Sequence, residues 1–250
     1  MLENLCKNCE NSFDGKFCSN CGQKTNTKRL DWNYLKDEAK YTFLHLNNGL
    51  LYTIKQLFVR PGETINEFIA GKRIQHYKPI LLVFVLAGLN GLLSINLYKD
   101  VFTSKNANTS EFNSINASVS TWFIEHYAVF EIGLLPIISL CSYVAFKKWG
   151  YNYIENIIIN CFAAGQRLVF GIVITPFLYL LDTKYILIIS TIATLPIYGL
   201  TLWTYYSIYK DKNSGDVILR ILLFGFLIIL FLFILIVLGV LLAVLFGVKN

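Results

Sequence analysis

The stretch RPGETINEFIAGKRIQHYKP, from Arg60 to Pro79, separates two parts of the chain that differ in character. It carries five basic side chains: Arg60, Lys72, Arg73, His76 and Lys78. It ends on a proline that leads directly into an apolar run. Basic residues beside an apolar run are typical of the cytosolic edge of a membrane-spanning segment. We therefore expect soluble or interfacial structure before this stretch and membrane-embedded structure after it.

Composition supports this division. Hydrophobic residues make up 55% of the 250 residues, charged residues 15%, and the mean hydropathy is +0.51. Soluble domains carry about 25% charged residues. Residues 1–78 hold 12 Lys and Arg against 8 Asp and Glu, so most of the net charge of +6 lies before the first long apolar run. That run begins near Ile80, and no cleavable signal peptide is expected ahead of it.

Four of the six cysteines form two close pairs, Cys6 with Cys9 and Cys18 with Cys21. In a reducing cytosol, two C-x-x-C pairs indicate a metal site rather than disulfides. Four thiolates complete a tetrahedral zinc site and leave no position open for water, so the zinc would be structural. The alternative, two redox-active pairs, lacks a surrounding βαβ pattern. We predict a zinc ribbon over residues 1–29.

Between the pairs, Asp14-Gly15 predicts a tight hairpin turn in which both central residues have positive φ. Gly22 is expected to permit the sharp turn after the last ligand. The ribbon has few basic residues interleaved with aromatic ones, so we do not expect it to bind nucleic acid.

Residues 30–79 predict three short amphipathic helices. The first follows an N-cap at Asp31 and ends at Asn47-Asn48-Gly49; the second begins at Leu50; the third follows Pro61-Gly62 and ends at Gly71. They form either a cap over the cytosolic end of the bundle or helices in the membrane plane. In the second arrangement, anionic lipid head groups would be contacted by Arg60, Lys72, Arg73, His76 and Lys78. His45 is also expected on a polar face.

The motifs of this region resemble those of a bacterial family of zinc-ribbon integral membrane proteins of unknown function. The resemblance rests on Phe17-Cys18-Ser19-Asn20-Cys21-Gly22-Gln23-Lys24, on Arg60-Pro61-Gly62, and on Ile69-Ala70-Gly71-Lys72-Arg73 with Tyr77 and Pro79. Phe68 departs from that pattern, in which a tyrosine is expected. The resemblance covers about the first eighty residues and implies no established activity.

Residues 80–250 predict a five-span transmembrane bundle, so the expected fold is an all-α polytopic membrane protein with an N-terminal zinc ribbon. Lysine and arginine in the connecting segments place the N-terminus in the cytosol and the C-terminus outside, in the bacterial inner (cytoplasmic) membrane. The predicted spans are Ile80–Tyr98, Tyr127–Phe146, Ile157–Leu181, Tyr185–Ile208 and Val217–Val248.

Three intramembrane polar residues are candidate site residues: Glu131, Gln166 and Arg167. Charge inside a membrane helix is costly and marks function or a buried ion pair. Glu131 is the nearest candidate partner of Arg167 along the sequence. Counted from the predicted helix ends, the two differ in depth by about 9 Å, so a link between them requires a bridging water or a shifted helix boundary.

The sequence lacks the H-E-x-x-H, Walker and G-x-S-x-G motifs, and we do not expect an enzyme. Two hypotheses remain. In the first, the protein is a scaffold or binding protein that recognises anionic lipid and a cytosolic protein partner, similar in outline to the five-span Yip1 family of trafficking proteins. In the second, it is a carrier or channel for a small anion or lipid, with Arg167 in a polar cavity.

Overall fold

The computed structural model describes residues 4–25, 27, 29–41, 49–105, 122 and 125–245. Over these residues the chain is mostly helical, with two short strands at its start. The strands are β1 (Asn4–Leu5) and β2 (Ser12–Phe13). The helices are α1 (Trp32–Tyr41), α2 (Leu50–Val59), α3 (Pro61–Ala70), α4 (Pro79–Lys105), α5 (Tyr127–Phe146), α6 (Tyr153–Leu178), α7 (Thr183–Ile208) and α8 (Ser214–Leu245).

Four segments of the described chain are long and apolar enough to cross a membrane, and they correspond to the last four predicted spans. They are Tyr127–Trp149, Tyr153–Leu178, Ile188–Ile208 and Ser214–Gly239. The first predicted span lies in α4, whose apolar part, Pro79–Ile95, is a shorter apolar helix. The protein is therefore a multi-pass helical membrane protein with four candidate spans. Residues 246–248 of the last predicted span lie outside the described residues.

Helices α1 and α2 begin where the sequence predicts, whereas α3 begins at Pro61 and includes the predicted break at Pro61-Gly62, because a proline fits the first turn of a helix. The backbone N–H of Tyr34 donates to Asp31 Oδ1 at 2.9 Å, so Asp31 caps α1. Helix α2 starts at Leu50. Gly71 has a φ of +117° and ends α3, because its left-handed backbone stops the helix and its N–H donates to the carbonyls of Glu67 and Phe68. The predicted end of the first helix, and His45, lie outside the described residues.

Helix α6 is the centre of the bundle. Its residues 154–168 are buried except Arg167, and α4, α5 and α7 all pack against it. Asn152 and Glu155 form a capping box at its start: each side chain accepts a hydrogen bond from the backbone N–H of the other. Helices α4 and α6 run parallel, since Leu82 packs on Gly165 and Asn90 on Gly171. Small residues at such crossings let two membrane helices approach closely.

Helices α2 and α3 pack against the bundle as a cap. Gly62 lies against the backbone of Ser207 near the end of α7, and its N–H donates to Ser207 Oγ at 3.2 Å. Asn66 Nδ2 donates to the carbonyl of Ile208 at 3.0 Å. Of the two expected arrangements, the contacts therefore match a cap over one end of the bundle.

We predict that Gly62→Ala destabilises the protein by about 2 kcal/mol, because a methyl group at this position would overlap the Ser207 carbonyl. The free energy of unfolding in mixed detergent micelles measures this. Gly199→Ala is the matched control, since a methyl group at Gly199 meets nothing within 4 Å in the described structure. Equal stability of the two variants would contradict the close α3–α7 contact.

Candidate functional site

The four N-terminal cysteines converge on one point. Their Sγ atoms all lie within 4.8 Å of one another, and the Cys6–Cys21 and Cys9–Cys18 pairs are each 3.6 Å apart. A tetrahedral ion with metal–sulfur bonds of about 2.3 Å holds its sulfurs about 3.8 Å apart. The arrangement therefore fits a metal ion held by four thiolates.

The two cysteine pairs are built alike. The N–H groups of Cys6 and Cys18 donate to the carbonyls of Asn11 and Gln23, five residues further along in each case. The carbonyls of Cys6 and Cys18 accept hydrogen bonds from Glu10 and Gly22. Each turn thus presents two thiols on the same side. The sequence predicts both pairs from their spacing.

The residue after each pair adopts a left-handed backbone, with φ of +60° at Glu10 and +75° at Gly22. Gly22 is expected in this role, whereas Glu10 is not a residue type that signals it. The only indication in the sequence is that Glu10 directly follows the first cysteine pair, as Gly22 directly follows the second.

The predicted Asp14-Gly15 hairpin is wrong in detail. The strands close around the cysteine turns instead: β1 pairs with β2 across the first pair, and Phe17 pairs with Lys24 across the second. Gly15 has a φ of +111°, while Asp14 is not among the residues with positive φ, so the two do not form the predicted turn. The two cysteine turns already reverse the chain, and Asp14-Gly15 only connects the two hairpins.

The thiols are electrostatically coupled. Burial raises the pKa of the Cys18 thiol, but backbone N–H donors at Cys21 and Asn20 and the neighbouring thiols lower it to about 6. Burial and the three other thiols raise the pKa of Cys21 to about 11. Several thiolates at this spacing repel one another, and a bound metal cation would remove that repulsion.

The ribbon is docked on the rest of the chain. Gln23, which is 5% exposed, donates from Nε2 to the carbonyl of Gly71 at 3.1 Å. Arg29 binds both carboxylate oxygens of Glu155 at 2.7 Å and the carbonyl of Gly150 at 2.6 Å. The ribbon therefore contacts the cap at the end of α3 and the bundle at the start of α6.

The basic residues proposed to contact lipid are engaged within the protein. Arg60 lies 3.7 Å from Glu63 and 3.6 Å from Glu67, and Lys72 lies 3.3 Å from Glu67. Arg73 donates from Nε to the carbonyl of Phe68 at 3.2 Å.

Lys78 is half-buried immediately before α4. Glu63 and Glu67 of α3 neutralise part of the basic charge of Arg60 and Lys72. A count of charged residues in the sequence does not reveal this pairing.

His76 is corrected from a head-group contact to a buried side chain. It is 5% exposed and packs beside Tyr52 and Phe68, with ring centroids 5.3 and 6.1 Å away. Among the described residues, its Nδ1 atom finds no hydrogen-bond partner. Burial lowers its pKa to about 4, so the imidazole is neutral at physiological pH.

Arg167 and Glu131 form a direct ion pair, with 2.9 Å between Nη2 and Oε1, in place of the expected gap. Of the two expected alternatives, the shifted helix boundary is the one observed, because α6 begins at Tyr153, four residues before the predicted start of that span. Four residues move Arg167 about 6 Å deeper, which reduces the expected difference in depth to about 3 Å. The side chains are 20% and 18% exposed, respectively.

Gln166 joins three elements. It donates from Nε2 to the carbonyl of Leu57 in α2 at 2.6 Å, and its Oε1 accepts from the Thr204 hydroxyl in α7 at 2.5 Å. Its amide is therefore used in holding the cap to the bundle.

A buried network of hydrogen bonds lies beside Gln166 and was not predicted from the sequence. The Tyr205 hydroxyl donates to Asn160 Oδ1, Asn160 Nδ2 donates to Ser142 Oγ, and Ser142 Oγ donates to Asn156 Oδ1, at 2.9, 2.9 and 3.0 Å. The network links α5, α6 and α7. Its members satisfy one another, as buried polar groups in a helical bundle must.

A cavity of about 290 Å³ lies between α4, α6 and α7. Of the described residues that line it, the polar ones are Asn90, Ser94, Tyr127, Thr175, Ser190 and Thr194. Gln166 and Arg167 are not among its described lining residues. The polar cavity and the ion pair are therefore separate features.

We predict that Arg167→Gln destabilises the protein by about 2 kcal/mol or more, because it leaves Glu131 in the bundle without its cation. The double variant Glu131→Gln/Arg167→Gln should recover most of that loss. Unfolding in mixed micelles measures both. If the losses of the single variants simply add in the double variant, the pair does not contribute as a unit. A folded double variant also isolates any activity that depends on the charges themselves.

Comparison with known proteins gives one family match. No curated protein matches the chain, and no solved structure matches it. Residues 47–90 match the sequence model of a family described as proteins of unknown function, DUF3667. The matched stretch includes the cap helices α2 and α3 and the first part of α4, together with Arg60-Pro61-Gly62 and Gly71-Lys72-Arg73. In this stretch the chain is similar to that family.

Proposed function

We propose that the protein is a membrane-embedded scaffold or binding protein whose N-terminal ribbon presents a surface to a cytosolic protein partner. One observation carries the proposal: the ribbon is held against the cap and the bundle on one side, while apolar side chains on its strands stay exposed. Gln23 and Arg29 make the docking contacts. Leu5 is 67% and Phe17 is 59% exposed. Exposed apolar side chains mark interaction sites where they form one contiguous patch, and the proposal is that Leu5 and Phe17 belong to such a patch.

The metal of the ribbon is zinc in this proposal. Four cysteine thiolates at tetrahedral spacing form the usual ligand set of a structural zinc site. A segment of this size has a very small apolar core, so the ion would provide most of its folding free energy. Zinc would supply structure and no chemistry, since all four positions are held by the protein.

The proposed topology has five spans, with α4 as the first, a cytosolic N-terminus and an external C-terminus in the bacterial inner membrane. The parallel course of α4 and α6 supports it, because these two helices would both run outward. Lys147, Lys148, Lys210 and Lys212 would then fall on the cytosolic side with the ribbon.

The lipid part of the proposal concerns four residues of the cap: Arg60, Lys72, Arg73 and Lys78. Each basic side chain near an anionic surface adds about 1 kcal/mol of attraction. Arg60 and Lys72 would have to exchange Glu63 and Glu67 for a lipid phosphate, so an anionic lipid would bind in competition with these ion pairs. His76 takes no part, because it is buried.

The alternative function is a carrier or channel for a small anion or lipid. The structure gives this function less support, because Arg167 is paired with Glu131 and Gln166 is hydrogen-bonded to Leu57 and Thr204. An anion would have to displace Glu131 from the guanidinium.

We predict one zinc per chain in native mass spectra of the protein in nanodiscs, and its loss in Cys9→Ser. Cys141→Ser is the matched control, because Cys141 lies outside the cluster and should leave the zinc bound. In the same spectra, Lys72→Gln/Arg73→Gln should lose an anionic lipid that Lys147→Gln/Lys148→Gln retains. A zinc-free wild type, or equal lipid loss in both double variants, would contradict the respective part of the proposal.

The scaffold proposal is tested by photocrosslinking in cells. With p-benzoylphenylalanine in place of Phe17, we expect a protein adduct of defined mass that disappears when Cys9→Ser is added. The same photoreactive residue in place of Trp122, which is 51% exposed and lies on the opposite side in the proposed topology, is the control. An adduct at Trp122 alone, or none at Phe17, would contradict a ribbon-borne partner site.

A further inference from the structure

The cavity between α4, α6 and α7 is lined by both uncharged polar and apolar side chains. Its polar side chains alternate with apolar ones, among them Ile174, Leu178 and Ile197. Of the described residues that line it, none is charged. Ligand pockets commonly combine an apolar wall with a few polar groups in this way.

Three hydroxyls of the wall already use their hydrogens within the protein. Thr175 donates to the carbonyl of Gly171 at 2.8 Å, and Thr194 donates to the carbonyl of Thr191 at 2.6 Å. Ser94 donates to Asn90 Oδ1 at 3.2 Å. A hydroxyl has one hydrogen to donate and two lone pairs to accept with. What these three side chains can still offer a ligand is therefore acceptor capacity.

These uncharged acceptors favour some classes of ligand over others: anions, cations and neutral hydrogen-bond donors differ in how well they fit. An anion would find no cationic side chain among the described lining residues, and these three hydroxyls would turn lone pairs toward it. A cation would enter an intramembrane cavity whose described lining residues carry no countercharge, and that is costly. The Arg167–Glu131 pair is internally neutral and gives neither ion a partner. A neutral group that donates a hydrogen bond fits best.

We propose that this cavity binds the hydroxyl group of a neutral amphiphile, a primary alcohol with an apolar tail. The head group would donate to Thr175, Thr194 or Ser94, and the tail would lie along the isoleucine and leucine side chains. A volume of about 290 Å³ holds on the order of ten water-sized groups, so a chain of about ten carbons fits.

The glycine at position 171 is part of the wall. A Cβ atom there would lie 2.5 Å from Asn90 Nδ2, so the lack of a side chain lets the Asn90 amide pack against α6. Asn90 is 8% exposed. The close contact holds Asn90 in place beneath Ser94, whose hydrogen bond it accepts.

This inference is independent of the scaffold proposal. The cavity lies among α4, α6 and α7, whereas the proposed partner surface lies on the ribbon. A failed crosslink at Phe17 leaves the cavity untested, and an empty cavity leaves the ribbon surface untested.

The test uses a decanol analogue that carries a diazirine in its tail, added to the full-length protein in nanodiscs. After irradiation, we expect labelled peptides from α4, α6 and α7. An excess of 1-decanol should abolish the labelling, and equal concentrations of decanoate or decylamine should not. Equal competition by decanoate, or labelling confined to other helices, would overturn the proposal.

Variants distinguish the loss of a hydroxyl acceptor from a general change in helix packing. Thr194→Val keeps the shape and removes the acceptor, so the apparent affinity for 1-decanol should fall about three- to tenfold. Thr201→Val is the matched control on the same helix: its hydroxyl also donates to a backbone carbonyl, that of Ile197, and Thr201 is not among the described residues of the wall. Ala193→Leu should fill the cavity and abolish labelling. Equal losses in the two valine variants, or full labelling of Ala193→Leu, would overturn the proposal.

Discussion

Burial of the first half of α6 is the constraint on which the rest of the structure depends. A helix surrounded on all sides must satisfy every polar group through its neighbours. Asn160 does so with Ser142 and Tyr205, and Gln166 does so with Leu57 and Thr204. The cap, α5 and α7 are therefore positioned by hydrogen bonds in the interior as well as by apolar contact. Gly62 lets α3 approach α7 closely, and Gly165 lets α4 approach α6.

Local patterns in the sequence predict the local structure. Cysteine spacing indicates the metal cluster, Asp31 and Gly71 mark helix ends, and lengths of apolar sequence identify the last four spans. These features depend on residues close together in the chain. Their physical causes, capping and metal geometry, act over a few residues.

Contacts between distant parts of the chain are harder to foresee. The ion pair of Arg167 with Glu131 depends on where α6 begins, and a shift of four residues decides whether the charges meet. His76 resembles a surface residue by its basic neighbours, yet Tyr52 and Phe68 enclose it. The carboxylates that neutralise the basic stretch come from its own helix, and their effect appears only once the helix is folded.

Glu155 has two roles at once, and together they link the ribbon to the start of α6. Its carboxylate caps α6 through the N–H of Asn152 and also binds Arg29, while only 3% of its side chain is exposed. If the ribbon lost its metal and released Arg29, a buried carboxylate would keep its helix cap but lose its cation. Folding of the ribbon around its cysteines and the stability of the bundle at the start of α6 are thus coupled through one ion pair.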